Sequence, residues 1–255
     1  MKFANQLVDK VGKEYLSYSS IKYALQDMRL WEMYMAGQLK KESQALSFGS
    51  VYDCLLFEPE KYDERFVTFD DYDIIQEIGG KSPRATAKYR KWKQDMSDEA
   101  KKQGLDIVSE EDFQVAIDMI NRLDETGLKD SYLTGEFQVE FNSFIDEIPV
   151  RGFLDCKGEG FITDSKSCRS VKSFGRDVFS FGYDIQAYVY TSVFPGNDYY
   201  WVAQEKTYPY LPALVRATPE TIERGKKKYT MAIDRIMSYL DSDAPTETFF
   251  AEFEV

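Results

Sequence analysis

Histidine is missing from all 255 residues. Its absence excludes Ser-His-Asp hydrolysis, Cys-His chemistry and every histidine-ligated metal site, so any catalysis must use carboxylate, lysine, tyrosine or a metal held by other ligands. Cysteine is scarce. Cys54, Cys156 and Cys168 are odd in number and form no CxxC pair, which argues against a disulfide framework and against a cysteine-ligated zinc or iron–sulfur centre, and suits a reducing cytoplasm. No segment approaches the roughly 18 consecutive apolar residues of a membrane helix. The opening MKFANQLVDKVGKEYL lacks the apolar centre of a signal peptide, so export is not expected. Internal repeats and low-complexity segments are also lacking. Positive charge is in deficit: 32 Lys and Arg stand against 44 Asp and Glu, a net charge of −12. This balance argues against nucleic-acid binding by bulk electrostatics, because affinity for phosphates comes largely from counterions displaced by Lys and Arg.

What is present is enough apolar material for a substantial core. With 43% hydrophobic and 15% aromatic residues, the chain can bury one large domain or a domain with an added lobe. Two local clusters run against the acidic total. One holds Lys81, Arg84, Lys88, Arg90, Lys91 and Lys93, interleaved with Tyr89 and Trp92, and the other holds Arg224, Lys226, Lys227 and Lys228. Basic side chains beside aromatics suit a nucleic-acid strand, and they suit a solvated helix face equally well.

Periodicity divides the chain. Ser19 or Ser20 is placed to cap a helix through Ile21, Leu25, Met28, Trp31 and Met35. A second helix begins near Leu46, with Gly49 allowing close packing and Pro59 marking its exit. Residues 66–80 read as irregular, with Gly79-Gly80 as a hinge or loop. Ser82 and Pro83 then open the first basic helix, and Ser109 to Asp112 resembles a capping box before another helix. After Gly127 the pattern changes to strands at 136–144, 148–154 and 161–166. A helix over 183–194 and strands at 199–204 and 211–215 follow, and an amphipathic helix over 219–240 comes last. The expected organisation is a single α/β domain over 1–255, with a mainly helical portion at 1–127, sheet and helices at 128–241, and an acidic, aromatic tail at 242–255.

The segment with the most chemistry is RGFLDCKGEGFITDSK, Arg151 to Lys166. Read as a hairpin, it sets Asp155 late on one strand and Asp164 on the next, with Lys166 on the same face as Asp164. Neighbouring carboxylates repel unless a divalent cation sits between them, and Mg²⁺ characteristically takes one or two carboxylates while keeping waters. A lysine beside such an ion can position or deprotonate a water, the minimum equipment for metal-assisted phosphodiester hydrolysis.

These residues, taken in order, resemble the RecE-type (exonuclease VIII-like) nucleases of the PD-(D/E)XK superfamily, relatives of lambda exonuclease and the RecB nuclease domain. The resemblance spans about Ser17 to Leu240. GSVYDCLLFEP from Gly49 to Pro59 is similar to the family pattern G-[ST]-x-x-H-x-L-L-x-E-P, with Asp53 standing where the family has histidine. Glu136, Asp155 and Asp164-Ser165-Lys166 resemble the family's glutamate, aspartate and D-x-K, and Tyr183, Gln186 and Tyr190 its Y-x-x-Q-x-x-x-Y helix. Glu140 lies on the same strand face as Glu136.

The resemblance implies a restriction-endonuclease-like α/β core, a mixed central sheet flanked by helices. It implies hydrolysis of DNA with Mg²⁺, or Mn²⁺, held by Asp155, Asp164, the Ser165 carbonyl and the residue at Asp53. Lys166 would face the attacking water, and Glu136, Gln186 and Tyr190 would complete the site. An oxygen-rich set of this kind suits Mg²⁺ rather than zinc. The expected substrate is DNA, at duplex ends processed for phage-type recombination. A single-strand annealing protein as partner and rings of subunits are implied by the resemblance alone, and no membrane is involved. Two alternatives stay open on the same scaffold: a DNA-binding or assembly module with weakened activity, and an endonuclease.

Overall fold

In the computed structural model, residues 2–39 and 44–242 are described, the side chains of residues 44–47 excepted. The first half of the chain runs α1 (Lys2–Val11), β1 (Leu16–Ser17), α2 (Tyr18–Gln26), α3 (Met28–Met35), α4 (Gln44–Phe57), α5 (Tyr62–Arg65), β2 (Phe66–Phe69), α6 (Tyr72–Ile78), α7 (Ala87–Lys102), β3 (Asp106–Ser109), α8 (Glu110–Thr126) and α9 (Leu128–Tyr132). The second half runs β4 (Glu136–Ile145), β5 (Ile148–Gly158), β6 (Phe161–Cys168), α10 (Phe174–Ser180), α11 (Tyr183–Val193), β7 (Asp198–Glu205), β8 (Pro212–Arg216) and α12 (Pro219–Leu240). Most of the acidic tail expected at 242–255, from residue 243 onward, lies outside the described residues.

The main sheet is mixed. β4 and β5 form a long antiparallel pair, β5 and β6 pair antiparallel only at Cys156–Gly158, β6 runs parallel to β7, and β8 closes the row antiparallel to β7. β4 lines one edge of β5, so the other edge is shared: β6 holds Cys156–Gly158 and β1 holds Val150–Arg151. Between those two contacts β5 and β6 part company. Asp155 stands at the mouth of that split.

Two clusters of apolar side chains cover the sheet. One joins Leu154, Ile162, Tyr199 and Trp201 to α2, α3, α11 and α12, and the other joins Cys156 and Val202 to α4 and α8. Partnered positions on β6 and β7 share a face, so Asp164 beside Trp201 and Lys166 beside Ala203 point toward α11. Ser165, one residue over, points toward α4.

Several expected elements differ from what the chain adopts. The helix expected through residues 21–35 is two helices, because Asp27 takes an extended conformation (φ −166°, ψ 135°) and its carboxylate accepts the amides of Arg29 and Leu30. The first of the pair is capped by Ser17 rather than Ser19 or Ser20, with Ser20 returning the hydrogen bond in a reciprocal capping box. Residues 66–80, expected to be irregular, form β2, which pairs in parallel with β3, and α6. A single short strand of this kind carries too little alternation to register as periodic. Ser82 and Pro83 open only a short 3₁₀ turn, and Thr86 caps the basic helix α7. Gly49 does not serve close packing: a side chain there would meet nothing within 4 Å.

Several cations of the basic clusters pair within the protein. Arg84 binds Asp71 and Glu111, Lys88 binds Glu77, and the Tyr89 hydroxyl donates to Asp71. Trp92 packs on Phe69 and Tyr89. In the second cluster, Lys228 donates to the fully buried Asp184 on α11 at 2.9 Å and Arg224 lies over the Phe179 ring. Acidic partners many positions away in sequence neutralise these cations, which no local reading shows.

Candidate active site

The split between β5 and β6 leaves the Ser165 amide without a strand partner, and the Asp155 carboxylate accepts it instead at 2.9 Å. One strand over, Asp164 is almost fully buried, and its two oxygens are engaged separately: Gln186 Nε2 donates to Oδ1 at 2.8 Å, and Lys166 forms an ion pair with Oδ2. Gln186 Nε2 also lies 3.4 Å from the Tyr190 hydroxyl, and Lys166 Nζ stands 5.1 Å from the Tyr183 ring centre. Tyr183, Gln186 and Tyr190 are all on α11. Helical spacing brings the three to one face, and that face meets Asp164 and Lys166.

Asp53 approaches through the split from α4. It shares a cavity of about 120 Å³ with Asp155, walled also by Ser50, Cys54, Glu58, Arg65 and Gln138. Burial, followed by the Asp155 charge, pushes the Asp53 carboxyl well above its ordinary value. Asp155 itself is pushed up to about 7, first by burial and then by Asp164, which comes near enough for a hydrogen bond between the two carboxyls. Burial opposes the Lys166 ammonium, but Asp164 and Asp155 outweigh it and hold its pKa above the usual lysine value. The electrostatics are those of carboxylates short of positive charge.

The expected residues are thus mostly brought together. Asp155, Asp164, Lys166, Gln186 and Tyr190 form one cluster, and Asp53 joins it across the cavity. Ser165 contributes its amide to Asp155, while its carbonyl lies 3.4 Å from Lys166 Nζ. Glu136 is not brought in. It sits at the start of β4, paired in register with Lys157, its side chain 72% exposed and 3.8 Å from the Lys157 ammonium. The two positions of β4 nearest Asp155 in register are interrupted by Gln138, whose φ of +48° puts a non-glycine residue in left-handed conformation beside the cavity.

Other residues at the site carried no sequence signal. Gln138 and Arg65 belong to no motif. Tyr18, on α2, is buried near Lys166, Tyr183 and Asp164. Tyr52 donates to Gln204 at 2.6 Å, and Gln204 donates to the carbonyls of Met119 and Tyr210. That network fixes the turn of α4 that carries Asp53. Here a signal existed, since Gln204 is a polar residue directly after the apolar run Trp201–Ala203.

The donor set fits a hard divalent ion. Asp53 and Asp155 face one cavity and resist ionisation there, and a cation between them would remove the cost of their charge. Among the described residues, no three His, Cys, Asp or Glu side chains stand close enough together to enclose an ion as they are. Asp164 is turned toward Lys166 and Gln186, which leaves a set of two facing carboxylates, within the range Mg²⁺ uses.

The family model of a PDDEXK-like domain of unknown function, DUF3799, matches residues 17–248. The chain belongs to this family. The fold is accordingly the PD-(D/E)XK one. The crystal structure of a candidate exonuclease from Eubacterium rectale shares the fold, with a TM-score of 0.66 and 18% identity over 95% of this chain and 86% of that one. The solved structure of SSO0001 covers 74% of this chain and 88% of its own at 15% identity, but its TM-score of 0.29 supports no argument. No curated protein matches the chain. The PDDEXK-like description puts the domain on a nuclease-type fold, and among the described residues no helix is long and apolar enough to cross a membrane.

Proposed function

We propose that this PDDEXK-like protein is a metal-dependent deoxyribonuclease, an exonuclease that processes duplex DNA ends. The observation that carries the reading is the convergence of Asp155, Asp164 and Lys166 at the split in the sheet, with Asp53 facing Asp155 across the cavity. Asp155, Asp164, the Ser165 carbonyl and Asp53 would hold Mg²⁺, or Mn²⁺, which when bound supplies charge neutralisation at the phosphate and a more acidic water.

The chain's own side chains do the rest. Asp164 and Asp155 raise the Lys166 pKa against the effect of burial, which favours an ammonium that donates hydrogen bonds to the attacking water or a phosphate oxygen. As the water oxygen bonds to phosphorus and the P–O3′ bond breaks, negative charge builds on the phosphate and the ammonium lies beside it. Gln186 fixes the orientation of Asp164. Tyr190, whose pKa burial raises, remains a neutral phenol able to donate. Products would carry 5′-phosphates. Action at duplex ends for recombination, in the cytoplasm beside an annealing protein and as a ring of subunits, extends the same reading from the family resemblance.

The competing reading is a DNA-binding or assembly module that no longer cuts, and one observation favours it: no three ligating side chains converge among the described residues. One assay separates the two. Purified protein is incubated with end-labelled linear DNA and with closed circular DNA, in Mg²⁺, Mn²⁺ or EDTA, beside Lys166→Ala. Degradation of linear DNA alone, lost in EDTA and in the variant, is the expected result. Cut circles would indicate an endonuclease, and binding without hydrolysis would overturn the enzyme.

A further inference from the structure

Lys22 is placed unlike the other cations discussed above. It lies on α2, and its Cγ and Cδ sit 3.5 Å from where a side chain on Gly182 would begin, so the stem is packed against the turn that opens α11. Its ammonium stands 5.6 Å from the Tyr18 ring centre and 5.8 Å from that of Tyr23. Tyr18 in turn donates to the Phe181 carbonyl at 2.8 Å, which fixes α2 to the same turn. Among the described residues no carboxylate pairs with Lys22. Burial lowers its pKa, and the one charge that adds to this is the ammonium of Lys166.

That arrangement is unfavourable as it stands. In a chain with a net charge of −12, partners are plentiful; Lys88 has Glu77 and Lys228 has Asp184. Lys22 instead packs its stem on Gly182, and the ring of the next residue, Tyr183, lies 5.1 Å from the Lys166 ammonium, so the two cations flank one turn. Lys166 feels both Asp155 and Asp164, whereas neither carboxylate acts on Lys22. The site therefore runs from the carboxylates, through Lys166, to a cation that has no anion. Two cations flanking one turn are stabilised by anions between or beside them, and a phosphodiester strand presents anions at regular intervals.

We propose that Lys22 is a substrate contact, its ammonium binding the backbone phosphate next to the one held at Lys166. The inference rests on the nuclease reading and deepens it by adding a strand-binding position on α2.

The test is fluorescence anisotropy with a labelled short DNA duplex, with Ca²⁺ replacing Mg²⁺ to prevent cutting, over a range of salt concentrations. Lys22→Met keeps the packed stem and removes the charge. It should bind about tenfold more weakly and lower the slope of log affinity against log salt by about 1, as loss of a single phosphate contact does. Lys22→Arg should restore both quantities. Lys102→Met, which removes an equal charge from a pair with Glu99, should change neither. Mn²⁺ affinity measured by calorimetry should be unaltered in Lys22→Met, because Lys22 acts on the strand and not on the carboxylates. If Lys22→Met does not fold, Lys22→Gln gives the same comparison. Wild-type affinity and slope in the uncharged variant would remove the role of Lys22 while leaving the nuclease reading intact, and parallel loss of Mn²⁺ binding would also overturn it. Failure of the wild type itself to bind DNA would overturn both.

Discussion

Gln186 and Lys166 divide the carboxylate of Asp164 between them, the amide on Oδ1 at 2.8 Å and the ammonium on Oδ2. Because Asp164 is only 2% exposed, each partner satisfies an oxygen that water does not reach. Replacing Gln186 by Leu should cost about 1–3 kcal/mol of stability, the usual penalty of an unsatisfied buried acceptor. It should also lower kcat more than KM, since the carboxylate loses its fixed orientation. Thermal unfolding and steady-state hydrolysis measure the two effects.

Lys166→Met tests the proposed electrostatic role. Loss of a positioned donor beside developing charge should slow hydrolysis by about 10²–10³-fold. It leaves Asp164 buried without its cation, so unfolding should be easier at neutral pH by roughly 3 kcal/mol or more. A slowing of under about tenfold in single-turnover hydrolysis would remove Lys166 from the chemistry.

The two carboxylates facing the cavity make stability and metal binding depend on pH. Asp155 rises from an ordinary 3.8 to about 7 in the folded protein. A folded-state value above the unfolded one contributes stability that is fully present below the unfolded pKa and is lost as pH rises through the folded one. In EDTA, the melting temperature should therefore fall between about pH 4 and about pH 7, and saturating Mg²⁺ should reduce that fall. Metal affinity should increase over the same interval, with protons released on binding. Calorimetry in buffers of different ionisation enthalpy reads the proton count directly.

Asp53 is the residue at which the chain departs from the pattern it otherwise resembles. Asp53→Ala should weaken Mn²⁺ binding by about tenfold or more if its carboxylate ligates across the cavity. Asp53→His removes the carboxylate that burial and then the Asp155 charge hold above its ordinary pKa, and should change Mn²⁺ affinity by substituting a ring nitrogen for an oxygen donor. An unchanged Mn²⁺ affinity in both variants would place Asp53 outside the metal set.

Two glycines give opposite predictions. A side chain at Gly225 would collide with the Asp184 backbone carbonyl, forcing α12 off α11. Gly225→Ala should destabilise by about 1–3 kcal/mol and slow hydrolysis, since α11 carries Gln186 and Tyr190. At Gly49 a side chain meets open space within α4, so Gly49→Ala should stabilise by about 0.5–1 kcal/mol. Urea titrations of the two variants decide both.

The comparison between chain and fold is instructive at particular residues. Strands 4 to 8, α11 and α12 were legible because long stretches repeat every two or about 3.6 residues, and the Asp155, Asp164 and Lys166 group was legible because one hairpin carries it. Residues 66–80 were not, because a four-residue strand repeats too briefly to be distinguished from a loop. The pairings within the basic clusters were not legible for a different reason. Arg84 finds Asp71 and Glu111, and Lys228 finds Asp184, across distances in sequence that carry no periodic trace.

The sequence by itself determined the chemical alphabet: without histidine or paired cysteines, only oxygen ligands and a lysine were available, and local spacing set two carboxylates and that lysine on adjoining strands. Only the tertiary structure decided that β6 leaves β5 after Thr163, that Asp53 faces the gap from α4, that Glu136 stays in solvent and that Lys22 packs on the turn whose Tyr183 ring lies beside Lys166. Spacing along one element is fixed by backbone geometry, whereas the meeting of α2, α4 and the split sheet depends on how separate apolar faces pack together.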